Sequence, residues 1–139
     1  MSNINDLRSS AAWQTYEKKS KSKIMEKYHN RFVVILSESK KSLYLSGMIL
    51  SKLIRPDFIE LKIHGTQIGM CIGTKATGFK VEYKTGVTPS ISVTKFVKDF
   101  ELKHAFAPGA YECIVEAMDA QTTDHYDLVI FNTSDHPAK

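Results

Sequence analysis

Lysine is the residue type in this sequence that is best suited to bind a ligand. The chain of 139 residues carries 19 Lys and Arg against 15 Asp and Glu, which gives a net charge of +4 and a pI near 9.0. A positive field of this kind attracts polyanions, and Lys and Arg side chains neutralise the phosphates of nucleic acids. The alternative is that these lysines are solvated and keep strand edges from pairing with other chains. The candidate nucleic-acid-binding residues are Lys18, Lys19, Lys21, Lys23, Lys27, Arg31, Lys40, Lys41, Lys80, Lys84, Lys95 and Lys98.

Residues 1–30 form a basic segment that differs from the rest of the chain. The stretch YEKKSKSKIMEKYHNR contains six Lys and Arg and two Glu, with apolar residues at a loosely helical spacing. We therefore predict either a helix that docks through its aromatic residues or a disordered arm. An arm would lie along a phosphate backbone or act as a solubilising tail. Trp13 and Tyr16 are the candidate protein-interface residues, because these residue types often anchor interfaces.

The residues that usually perform catalysis or bind metals do not form a motif. None of the five histidines stands at zinc-ligand spacing from a cysteine or another histidine. There is no Gly-x-Ser-x-Gly nucleophile and no glycine-rich phosphate loop. We predict a protein without catalytic residues, metal or cofactor. Cys71 and Cys113, which stand in apparent strands, are predicted to be buried free thiols.

From residue 31 onwards the apolar residues follow the pattern of β-strands. In 31–73 the strands RFVVILS and SLYLS precede a short helix, GMILSKLI, which ends before Pro56. The strands FIELKI and IGMCIG follow. Alternation in the first of these predicts that Ile59, Leu61 and Ile63 point into the core.

Residues 78–131 show the same order of elements. The strand FKVEYK, a turn marked by Gly86 and Pro89, and the strand SISV precede a helix over TKFVKDFELKHAF. Thr94 is the predicted N-cap of this helix, and Pro108-Gly109 end it. The strands AYECIVEAM and YDLVIF follow, before a tail at 132–139.

This order predicts a mainly β protein with short helices (α+β), built from two tandem ββαββ units. A unit of this size cannot bury its own sheet face, so the two units must share one core. The alternative is that the likeness arises by chance, because a proline after a helix and alternation within a strand are both common patterns.

Two segments of the chain resemble a known domain. SLYLSGMILSKLIRPDFIELKIHGTQIGM and FKVEYKTGVTPSISVTKFVKDFELKHAFAPGAYECIVEA each contain a strand, a short helix, a proline-containing break and an alternating strand. In this they resemble the AbrB/MazE-type swapped-hairpin domain of bacterial transition-state regulators and antitoxins. Gly86 matches the turn glycine of that family, without the arginine that follows it there. The resemblance implies a swapped-hairpin-like barrel built within one molecule, and DNA binding through basic residues of the hairpins.

Two functions of different classes are therefore predicted. The first is a non-enzymatic DNA-binding regulator of transcription that contacts phosphates. The second is a small protein-binding inhibitor or adaptor, of the sort that mobile elements encode. No apolar run is long enough to span a membrane, and the N-terminal stretch MSNINDLRSS lacks the pattern of a signal peptide, so we expect a cytoplasmic protein. Both a monomer and a homodimer are compatible with the sequence.

Overall fold

The computed structural model of the chain describes residues 28, 30–119 and 125–135. These residues form nine strands and two short helices. The strands are β1 (Val33–Leu36), β2 (Ser42–Leu45), β3 (Phe58–His64), β4 (Gln67–Ile72), β5 (Phe79–Lys84), β6 (Val87–Ser92), β7 (Gly109–Glu112), β8 (Ile114–Asp119) and β9 (His125–Asn132). The helices are α1 (Gly47–Lys52), between β2 and β3, and α2 (Thr94–Phe100), between β6 and β7.

The strands form one antiparallel sheet that curves into a nearly closed barrel. Their order is β7-β1-β2-β6-β5-β3-β4-β9-β8. β7 and β8 stand at opposite ends of this order, although only Cys113 separates them in the chain. Together they act as one bent strand that joins the two ends of the sheet. The prediction of a mainly β protein with short helices is confirmed.

Strand pairing is reciprocal between the ranges 31–73 and 78–131. β1 pairs with β7, where Val34 lies opposite Tyr111. β5 pairs with β3, where Phe79 lies opposite Ile59. β2 also pairs with β6, and β4 with β9. Because each range supplies strands that the other needs, both contribute to the same core.

The core fills the barrel with side chains from alternate positions of the strands. Its aromatic part centres on Phe106, whose ring centroid lies 5.5 Å from that of Tyr111 and 5.8 Å from that of Phe100. Cys71 and Cys113 are both buried and free, as predicted. The most fully buried large side chains include Leu36, Leu43, Leu45, Ile49, Leu53, Ile59, Ile68, Met70, Ile91, Phe106, Tyr111 and Phe131.

A second apolar cluster lies on the outer face of the barrel. Tyr28, Val33, Tyr44 and Ala110 are buried there, and the half-buried Ile35 packs against them. Alternation places these strand residues on the face opposite to the core. The outward positions of β5 and β6 carry Lys, Glu, Ser and Thr instead. The outer surface is therefore apolar over β7-β1-β2 and polar over β6-β5.

Both helices are shorter than the sequence pattern predicts. α1 ends at Lys52, and α2 ends at Phe100 rather than continuing to Phe106. Ile54 and Leu102, which the sequence pattern includes in the helices, follow them instead and are 81% and 82% exposed. Each helix stops early because the chain must reverse to enter the next strand. Within the described residues, no helix is long and apolar enough to cross a bilayer.

Three local predictions are also wrong. Thr94 is the first residue of α2 rather than its cap, and no side-chain hydrogen bond caps this helix. Pro89 lies inside β6 rather than in the turn, beside a register irregularity between β5 and β6 where a missing N–H donor is tolerated. Ile63 is 54% exposed because it lies at the tip of the β3–β4 hairpin, beyond the part of β3 that faces the core.

The connection between β4 and β5 passes so close to β3 that it requires glycine. A Cβ atom at Gly78 would lie 2.8 Å from the Cβ of Phe58 and 2.9 Å from the carbonyl oxygen of Thr74. We expect Gly78→Ala to lower the free energy of unfolding by about 1–3 kcal/mol, the usual cost of overpacking. Gly47 is the matched control, because a Cβ there has nothing within 4 Å.

Gly47→Ala should raise the free energy of unfolding by about 0.5–1 kcal/mol, because Ala is the better residue in a helix. Equilibrium unfolding in urea measures both values. Shifts of the two midpoints in the same direction would contradict the argument.

Candidate nucleic-acid interface

Five of the predicted phosphate-binding lysines precede the part of the chain that the structure describes. Trp13 and Tyr16, the predicted protein-interface residues, also lie outside it. The lysines concerned are Lys18, Lys19, Lys21, Lys23 and Lys27. Seven of the predicted cations remain, and all seven lie on the surface of the barrel or of α2.

Three of these seven cations form ion pairs. Arg31 pairs with Glu112, and its guanidinium also lies over the ring of Tyr28, 5.2 Å from the centroid. Lys40, in the β1–β2 turn, has its Nζ 2.8 Å from Oε2 of Glu101. An ion pair holds a cation in one place and cancels part of its field, so these three are poor first contacts for a phosphate.

Lys95 is the third paired cation. Its Nζ lies 3.2 Å from Oδ2 of Asp99, one turn further along α2. Both side chains of this pair are largely exposed, so water screens the pair and it contributes little stability.

The other four lysines have no carboxylate partner among the described residues. Lys41 lies in the β1–β2 turn, and its carbonyl accepts the N–H of Val93 at 2.8 Å, just before α2 begins. Lys98 is on α2. Lys80 and Lys84 lie on the outward face of β5. The predicted cations thus fall into two groups, one at the first hairpin and α2, the other on β5.

Arg55 is a cation that the sequence analysis missed. It lies three residues after the end of α1, and its guanidinium carbon lies over the ring of Tyr83, 4.1 Å from the centroid. The Tyr83 hydroxyl donates a hydrogen bond of 2.6 Å to the carbonyl of Pro56, which fixes the ring. Burial raises the pKa of the Tyr83 hydroxyl, with a smaller opposite effect of Arg55, so the hydroxyl keeps its proton at neutral pH.

The backbone at Arg55 is unusual. Ile54 and Arg55 have φ angles of 57° and 42°, in the left-handed region that side-chain-bearing residues seldom adopt. The Arg55 N–H donates a hydrogen bond of 2.7 Å to the carbonyl of Leu50 and closes the end of α1. Strained residues of this kind concentrate at functional sites. An arginine directly before a proline at a helix end is the only trace that this arrangement leaves in the sequence.

Arg55 and Lys84 line one cleft at the end of the barrel. The cleft has a volume of about 320 Å³ and is completed by Tyr83, Thr85 and Pro89. Its lining contains two cations and no carboxylate, so its electrostatic field favours an anion over a cation. Comparisons with protein-family models, curated proteins and solved structures found no match.

Lys84 also borders a second cleft, on the outer face of β2, β6 and β5. This cleft has a volume of about 220 Å³ and is lined largely by hydroxyl groups. Among them, Thr88 is only 5% exposed and its Oγ1 has no hydrogen-bond partner. A buried hydroxyl without a partner costs about 1–3 kcal/mol. The full lining is Ser42, Tyr44, Glu82, Lys84, Val87, Thr88, Ser90 and Ser92.

The described residues do not include a metal centre. They contain no group of three His, Cys, Asp or Glu side chains placed to hold an ion.

The charged residues near the clefts alternate in sign along β5, where Glu82 lies between Lys80 and Lys84. On the opposite side of Tyr83, Asp57 and Glu82 face Lys80 in a third cleft of mixed charge. The cleft of Arg55 and Lys84 is therefore the most cationic of the three.

Proposed function

We propose that this protein binds nucleic acid, with duplex DNA as the favoured target, and that it does so through the phosphate backbone. The observation that carries the proposal is the convergence of Arg55 and Lys84 on a cleft without a carboxylate. Lys80 extends this cationic surface along β5. Arginine and lysine side chains with free donors are the usual partners of phosphate oxygens.

We also propose that the scaffold for this function is a swapped-hairpin-like barrel of two tandem units, and the reciprocal strand pairing supports this. In a swapped-hairpin barrel each unit gives its first hairpin to the other unit. The pairing of β1 with β7 and of β5 with β3 has this form. The equivalence of Pro56 and Pro108 before β3 and β7 agrees with it. A regulator built in this way would use the same hairpins for folding and for DNA contact.

Contacts of this kind give affinity rather than sequence discrimination. Phosphate contacts position a protein on DNA but do not read bases. Tyr44 is the aromatic residue on the outer face of β2. It is buried, so it is not available for stacking on bases. We therefore expect the described part of the chain to bind different sequences with similar affinity.

Salt dependence tests the proposal directly. A fluorescently labelled duplex of mixed sequence would be titrated with the full chain at salt concentrations from about 50 to 200 mM. Each phosphate contact contributes about −0.9 to the slope of log K against log salt. Lys80→Gln/Lys84→Gln should make the slope less steep by about 2 and weaken binding to all duplexes alike.

A second double variant controls for net charge. Lys62→Gln/Lys103→Gln removes two positive charges elsewhere, and Lys62 is already paired with Glu60 at 2.9 Å. This variant should keep most of the slope and affinity. If both double variants lose the same affinity, the loss reflects net charge rather than contacts of Lys80 and Lys84. If the unmodified chain does not bind the duplex near about 50 mM salt, the proposed function is excluded.

A protein-binding inhibitor or adaptor is the second candidate. It is favoured by Ile54 and Leu102, two large apolar side chains that are almost fully exposed after the helices. Contiguous exposed apolar patches mark protein interfaces, and these two side chains would be the apolar contacts of this candidate. Binding through them would depend weakly on salt. This candidate would be supported if the unmodified chain binds a partner protein, Ile54→Ser does not, and neither of the two binds DNA.

A further inference from the structure

The cleft of Arg55 and Lys84 is built for one particular anion geometry. A guanidinium whose carbon lies over an aromatic ring is attracted to the ring face, and its five N–H groups can still donate hydrogen bonds to a ligand beside the ring. Tyr83 supplies this ring and is itself held by its 2.6 Å hydrogen bond to Pro56. The arginine is thus oriented before any ligand arrives, so less side-chain freedom is lost on binding.

Two further donors stand beside the guanidinium. Lys84 is the last residue of β5, and Thr85 is the first residue of the β5–β6 turn. Together with Arg55 they line one cleft, and the three side chains carry an ammonium, a hydroxyl and a forked pair of N–H groups. A tetrahedral phosphate, with several oxygens pointing in different directions, can accept from all three.

The first hairpin lacks such a site. Its turn carries Lys40, which adopts a φ of 60° and is bound to Glu101. Lys41, in the same turn, has no carboxylate partner among the described residues, but it lines none of the three clefts described above. The end formed by the β5–β6 turn and the segment after α1 differs in that its two cations, Arg55 and Lys84, line one cleft without a carboxylate.

We infer that Arg55, Lys84 and Thr85 form a clamp for a single phosphate group of the nucleic-acid backbone, with Tyr83 as the residue that positions Arg55. This inference rests on the proposed function and assigns it to one end of the barrel. The left-handed backbone at Ile54 and Arg55 is then part of the site, because it turns the arginine side chain back over Tyr83. The strained backbone of the free protein thus places the arginine in the orientation that the ligand requires.

Arg55→Gly separates this role from a structural one. Glycine adopts a φ of 42° without strain, so the variant should melt at the same temperature as the unmodified chain or above it. Its affinity for the duplex at fixed salt should nevertheless fall about 10- to 100-fold, the usual effect of losing a charged hydrogen bond. The salt slope should decrease in steepness by about 0.9, the contribution of one phosphate.

Arg55→Lys and Lys98→Gln complete the test. Arg55→Lys keeps the charge and should preserve the salt slope, yet lose affinity because lysine cannot form the planar fork. Lys98→Gln removes one exposed charge from α2 and should weaken binding less than Arg55→Gly does. Inorganic phosphate alone should shift the amide resonance of Thr85 in the unmodified chain but not in Arg55→Gly.

The outcomes distinguish the clamp from the proposed function. If the unmodified chain does not bind the duplex, the proposed function fails. If it binds and Arg55→Gly binds equally well with the same slope, the function stands and the clamp is wrong. A phosphate-dependent shift without duplex binding would identify a free phosphate, rather than nucleic acid, as the ligand of the cleft.

Discussion

Phe106→Ala is expected to lower the free energy of unfolding by about 3–5 kcal/mol, the range found when a buried aromatic ring is removed. Phe106 is 2% exposed and lies in the connection between α2 and β7. Its ring contacts those of Phe100, Tyr111 and Phe131, with centroids 5.5 to 5.9 Å away. One side chain thus joins α2, β7 and β9, and the cavity left by alanine would loosen all three contacts.

Leu102→Ala is the control for this prediction. Leu102 lies in the same connection but is 82% exposed, so its removal should change the free energy of unfolding by no more than about 0.5 kcal/mol. Guanidinium chloride unfolding, followed by both far-UV circular dichroism and fluorescence, measures the two values. Similar losses in the two variants would show that Phe106 does not hold the connection in place.

The sequence predicted the order of the strands and helices because each strand carries either alternation, as in FIELKI, or a short apolar run, as in VVIL. It failed at Phe106 for a physical reason. The spacing of Phe96, Val97 and Phe100 continues as far as Leu102, so a local pattern extends the helix through the connection. The chain instead stops α2 at Phe100 and returns Phe106 to the aromatic part of the core. The contact with Phe131 of the distant strand β9 helps to make that return favourable, and no local window around α2 contains this strand.

The same limit applies to the candidate site. The lysines could be identified from their residue type, but their pairing could not, since Lys40 meets Glu101 and Arg31 meets Glu112 across the fold. Arg55 looked like an ordinary helix end because Tyr83 belongs to a later strand. Charge is therefore visible in the sequence, whereas the availability of that charge depends on tertiary contacts.

The protein should lose stability at alkaline pH because of Cys113. Burial raises the pKa of this thiol from 9.0 to about 12, and the backbone of Val34 offsets only part of the effect. In the unfolded chain the thiol ionises near its ordinary pKa, so between about pH 9 and 12 the folded state binds the extra proton. The contribution is complete below about pH 9 and is lost as the pH rises towards 12, by about 1.4 kcal/mol per pH unit. Burial also raises the pKa of Tyr111, which adds a loss of the same sign at higher pH.

Cys113→Ser isolates the contribution of the thiol, because serine fills nearly the same space and does not titrate in this range. The variant can be less stable at every pH, but this offset leaves the slope unaffected. Urea unfolding at intervals from about pH 8 to 11 should give a curve that falls less steeply for the variant, by about 1.4 kcal/mol per pH unit above pH 9. Parallel curves for the two proteins would mean that Cys113 ionises equally easily in the folded and unfolded states, and that its burial in the core does not exclude the charged form.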